Sequence, residues 1–188
     1  FSDGLCVYIK AEKINKISYN TQSFGDAQWR VYDYGLIRNI NQFLAGVRAA
    51  KVLDKDVQLS VEGEARFLRA WTYFNMCRGM GGMPIVGDEV FDYKAGMDVT
   101  ALQYPRSTEA ELYDYIIKEC TEIAPLLSEN PSVNGARATK WAALMLKARA
   151  AVYAGSIANY NNKMVSPIKT AGGEVGISAD KAKAYYEM

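Results

Sequence analysis

Histidine is absent from this chain. That single absence removes His-metal coordination, the Ser-His-Asp and Cys-His nucleophile pairs and the usual proton shuttle near neutral pH. Cysteine is scarce as well. Cys6, Cys77 and Cys120 lie far apart and in no CxxC spacing, so neither a redox motif nor a thiolate cluster is indicated, and buried free thiols are expected. No run of 18 apolar residues is available to span a bilayer as a helix. An excess of one charge is also missing: 22 Lys and Arg against 21 Asp and Glu leave a net +1, with no long like-charged run. A phosphate backbone or an anionic lipid surface is therefore not the expected main partner.

What is present suits a folded domain. With 188 residues, 49% of them apolar, the chain can bury roughly 70% of its unfolded surface and needs no disulfide or metal staple. One domain over residues 1–188 is expected, with a loop-rich segment at 1–25 and a helical scaffold at 26–188. Ser2-Asp3-Gly4-Leu5 ahead of Cys6 is polar and unlike a signal peptide, so Cys6 reads as ordinary. Tyr185-Tyr186-Glu187-Met188 stands inside an amphipathic pattern with no stop signal, and the chain reads as a fragment of a longer protein.

Helical periodicity dominates from residue 26 onward. Trp29, Tyr32, Leu36, Ile40, Phe43, Leu44 and Val47 recur at three- and four-residue intervals, predicting a first helix from an Asp26 cap to about Lys51. A second runs from about Ser60 to Arg78. Ala65, Leu68, Thr72 and Met76 form its stripe, Phe67, Trp71 and Phe74 broaden it, and the Gly79-to-Pro84 stretch stops it. Ile85-Val86 suits a very short strand or extended piece. Thr108 with Glu111 forms a capping box opening a third helix, lined by Leu112, Ile116, Cys120 and Ile123. The fourth, Ala138 to Ala158, is rich in alanine; a fifth begins near Ser178.

Repetition is visible within this pattern. At an offset of 78, Ala65 falls on Ala143, Leu68 on Leu146, Arg69 on Lys147 and Ala70 on Ala148, implying two helical hairpins of one kind. Tetratricopeptide repeats combine small and large residues in this way, although the loops here are far longer than a regular repeat allows. The expected fold class is all-α, a tetratricopeptide-like scaffold with long loop insertions.

Several chemical motifs are tested and fail. Gly79-x-Gly81 meets Pro84 where a dinucleotide fingerprint needs glycine, and a helix precedes it where a strand is needed. Asp88, Glu89 and Asp92 lack calcium-loop spacing and read as a solvated loop. Arg66 and Arg69 alternate with apolar positions and are expected to pair with Glu62, Glu64 or helix ends in a scaffold role. Tyr160-Asn161-Asn162 is a polar aromatic loop that could lie near a ligand or partner. No catalytic, metal or cofactor site is indicated.

Four stretches carry a family resemblance: WRVYDYGLIRNINQFLAGV from Trp29, GEARFLRAWTYFNMCRGMGGMPIV from Gly63, Pro105 to Leu127, and RATKWAALMLKARAAVYAG from Arg137. Together they resemble the N-terminal part of the SusD/RagB family of outer-membrane nutrient-binding lipoproteins. The resemblance implies a surface protein anchored by an N-terminal lipid, docked on a SusC-like TonB-dependent transporter, that captures oligosaccharides without cleaving them. In the RagB branch the ligand is a peptide, and that alternative stays open.

A neutral sugar offers apolar ring faces and many hydroxyls, so its site needs aromatic platforms flanked by amides or guanidinium groups. The resemblance places part of that site on the loop leading into the first helix. Tyr19, Asn20, Gln22, Phe24 and Trp29 are the candidate ligand-binding residues. Trp29 also keeps phase with Tyr32 and Leu36, which suits a core residue equally well. A carboxylate-only glycosidase is the competing enzyme reading, and it needs two acids at a defined separation.

Overall fold

A computed structural model describes residues 32–91, 94–130 and 135–188, and Tyr32–Met188 form a compact unit. Five α-helices follow one another: α1 (Tyr34–Ala49), α2 (Lys55–Met80), α3 (Glu109–Ile123), α4 (Lys140–Tyr160) and the short α5 (Ala182–Tyr186). No strand occurs among the described residues. Each helix packs mainly on the next in sequence, so the unit is a chain of antiparallel hairpins, the tetratricopeptide-like, all-α arrangement expected.

The α1 helix starts where Asp33 accepts the amide of Leu36 at 2.8 Å. Residues 32 and 33 are not helical, which corrects the longer helix expected from Asp26; Asp26 itself lies outside the described residues. Ile37, Ile40, Leu44 and Val47 form the buried face. Leu36 and Phe43, expected inside, are 42% and 51% exposed, and Tyr32 is 49% exposed. Leu36 and Phe43 each precede a buried residue by one position, about 100° around the helix, so burying Ile37 and Leu44 turns them outward.

The α2 helix begins at Lys55, ahead of the expected Ser60. It ends at Gly81, whose φ of 75° favours glycine and where an added Cβ would stand 2.3 Å from the Glu174 carbonyl oxygen. Leu68 and Trp71 lie outward, at 53% and 40% exposure, while Tyr73, Phe74, Met76 and Cys77 enter the core. There they meet Leu112, Tyr113, Ile116 and Cys120 of α3, and Leu146, Ala150 and Ala154 of α4. The capping box is complete: Thr108 Oγ1 accepts from the Glu111 amide at 3.1 Å, and the Glu111 carboxylate accepts from the Thr108 amide at 2.8 Å.

The inferred internal match at an offset of 78 does not carry through the packing. Leu68 is exposed where Leu146 is 2% exposed, and Ala70 is buried where Ala148 is exposed. Only Ala65 and Ala143 are buried alike, at 5% and 0% exposure.

Two loops close the ends of the helices. Residues 164–178 fold back so that Gly82 N donates to Glu174 O at 2.6 Å and Glu109 N to Gly173 O at 2.9 Å, meeting amides that lack intrahelical partners. Ile85 and Val86 form no strand; the Val86 amide instead donates to Tyr73 Oη at 3.0 Å.

Candidate functional site

Tyr19, Asn20, Gln22, Phe24 and Trp29 lie outside the described residues. Within the described residues, polar chemistry is concentrated where α1, α2 and α3 meet the segment after α2. A cavity of about 380 Å³ there is lined by Arg48, Arg66, Arg69, Asp88, Tyr115 and Glu119, among others. Arg66 and Arg69 project from α2 into this space because the helix phase places position 69 on the buried face, between Ala65 and Tyr73.

Arg69 is only 2% exposed. Its Nη1 donates to Asn41 Oδ1 at 2.8 Å, Gly87 O at 3.0 Å and Asp88 Oδ1 at 2.5 Å, and its Nη2 to Glu119 Oε2 at 3.0 Å. Arg66 donates to both Glu119 oxygens, at 2.7 and 3.1 Å, and to Glu122. Arg48 bridges Glu62 and Asp88, each at 2.7 Å. These partners correct the expectation for Arg66 and Arg69: Glu62 goes to Arg48 and Glu64 to Arg137, while the α2 arginines reach across to α3 and to Asp88. The scaffold role expected of both arginines fits this arrangement.

The electrostatics follow from these contacts. Burial works to raise the Asp88 and Glu119 carboxyls, but hydrogen bonds from Arg69 and Arg48, and from Arg66, outweigh it and hold both below the usual range. Acids held ionised in this way are poor proton donors. Asp88 is thus tied into the protein rather than simply solvated, and Glu89 accepts from Tyr104 Oη. Arg69 Nε and Tyr115 Oη, both on the cavity wall, have no hydrogen-bond partner among the described residues.

Burial raises the Cys77 thiol and pushes that of Cys120 up to about 12, so both behave as inert core groups. Among the described residues no set of three or more Cys, Asp and Glu is arranged to hold a metal ion. A second hollow, about 420 Å³, lies between α1 and α2 against Ile40, Phe43, Val61 and Leu68, with Asn39, Glu64 and Arg137 at its edge. Tyr160 is 62% exposed, but Asn161 and Asn162 are engaged by Ile168, Ala158 and Ile177 backbone groups.

Sequence reasoning missed the ion-pair cavity. The signal that could have found it is a polar residue in an apolar phase: Asn41 between Ile37 and Leu44, and Arg69 between Ala65 and Tyr73.

A family described as SusD-like, starch-binding and associating with the outer membrane, matches residues 8–152. No curated protein matches. Among solved structures, a SusD-like protein from Bacteroides fragilis is similar at TM-score 0.60 and 24% identity, over 81% of this chain and 30% of its own. A laminarin-binding SusD-like protein is similar at TM-score 0.55 and 19% identity, over 69% of this chain and 26% of its own. A structure with a xylogluco-oligosaccharide is similar at TM-score 0.55 and 21% identity, over 81% of this chain and 26% of its own. The chain thus spans less than a third of the length of each of these structures.

Proposed function

Since this chain belongs to the SusD-like family of starch-binding, outer-membrane-associated proteins, we propose that the whole protein captures oligosaccharides for import and does not cleave them. The observation that carries this reading is the family match over residues 8–152. Ligands named for the similar structures, laminarin and a xylogluco-oligosaccharide, support a glycan as the substrate class.

In this proposal Tyr19, Phe24 and Trp29 supply stacking faces, and Asn20 and Gln22 supply hydrogen bonds to hydroxyls. The protein is held at the outer membrane by a lipid anchor and passes its ligand to a SusC-like TonB-dependent transporter. No helix among the described residues is long and apolar enough to cross a membrane.

Calorimetric titration of the intact protein with β-glucan and xyloglucan oligosaccharides, and with peptides, tests the reading. A glycan is expected to bind, and Tyr19→Ala or Trp29→Ala to weaken it about tenfold, on the order of 1.4 kcal/mol. Trp141→Ala, on the exposed side of α4, is expected to leave binding unchanged. Binding of peptides alone would transfer the protein to the peptide-capturing branch.

A further inference from the structure

We infer that Arg69 is a positioning residue that fixes segment 84–89 on the α1–α2 hairpin, taking the place of the backbone pairing that an edge strand would have. This inference is independent of what the whole protein captures. Side chains meet the backbone of Pro84, Val86, Gly87 and Glu89, while the Glu89 amide turns back on Val86 O at 3.4 Å. Tyr34 Oη donates to Pro84 O at 2.8 Å, the Val86 amide donates to Tyr73 Oη at 3.0 Å, and Asn41 Nδ2 reaches Gly87 O at 2.9 Å and Glu89 O at 3.0 Å.

Arg69 orders this set. Its Nη1 donates both to Gly87 O and to Asn41 Oδ1, which turns the Asn41 amide so that Nδ2 faces the segment. On the other side its Nη2 rests on Glu119, which Arg66 holds in turn. One guanidinium group, with its side chain 3% exposed, thereby joins α1, α2, α3 and the segment. Lysine cannot reproduce this, because a single ammonium point charge lacks the planar spread of donors. The loop that follows is displayed from a fixed base. It carries the Phe91 and Tyr104 rings, 5.7 Å apart.

Hydrogen exchange on the whole chain tests the inference, read on peptides covering residues 84–91 and on peptides from α3 and α4. Arg69→Lys is expected to accelerate exchange across 84–91 at least tenfold while α3 and α4 stay within twofold of the parent. Asp88→Asn, whose parent side chain is 51% exposed, is expected to accelerate the same segment several-fold. Equal acceleration in α3 and α4 would reduce Arg69 to a general stabiliser, and unchanged exchange at 84–91 would show that the segment holds itself; either overturns the inference. Should Arg69→Lys fail to fold, Asp88→Asn decides by the same two readings.

Discussion

Glu119 has its carboxylate between two guanidinium groups, whereas Glu109, on the same helix, is buried with the Gly176 amide at 2.6 Å. Their responses to pH therefore run in opposite directions. Arginine contacts hold Glu119 below the unfolded value of about 4.3, so its stabilising contribution is complete above that pH and is lost as pH falls through the folded value. Burial raises Glu109, which the one hydrogen bond does not offset, so its ionisation costs stability as pH rises above about 4.3. Glu109→Gln keeps an acceptor for Gly176 and removes the charge. Thermal unfolding at pH 7 is expected to shift upward by roughly 2–4 °C, for a gain of about 1 kcal/mol, with no gain at pH 3. Glu119→Gln should do the reverse, lowering stability at pH 7, with a loss that shrinks as pH falls below about 4.3 toward the folded value. Matching shifts for the two variants at pH 7 would contradict this assignment.

At the scale of the element, α4 works through small side chains. Ala150 and Ala154 are fully buried, and Gly155 lies so close to Tyr186 that an added Cβ would meet its ring at 2.9 Å. Ala154→Leu is expected to cost about 1–3 kcal/mol in urea unfolding through overpacking, while Ala148→Leu on the exposed face is expected to be neutral. Helix existence and the α3 face were legible in the sequence, because Leu112, Ile116, Cys120 and Ile123 are apolar on one side only. The α1 face was legible only in part: Ile40, Leu44 and Val47 are buried as expected, but Leu36 and Phe43 place apolar groups outside while Asn41 carries an amide inside. Periodicity assumes that apolar means buried. Asn41 breaks that assumption because its amide is fully engaged by Arg69, Gly87 and Glu89.

At the scale of the whole molecule, hairpins joined in sequence build a frame whose members mostly touch their neighbours, and long-range ion pairs tie its parts together. Arg69 and Glu119 are 50 residues apart, a pairing that no local pattern encodes. The fold class and the family were legible because helix stripes and the block from Gly63 to Val86 are local features. The ligand residues rest on the resemblance alone, since they fall outside the described residues. Capture without turnover is the proposed work of the whole protein. Titrate the intact protein with a bound oligosaccharide to saturation, hold the complex overnight, then weigh the recovered sugar by mass spectrometry. A saturable heat of binding and a recovered chain of unchanged length are expected; shortened products that depend on the protein would rule out capture without turnover.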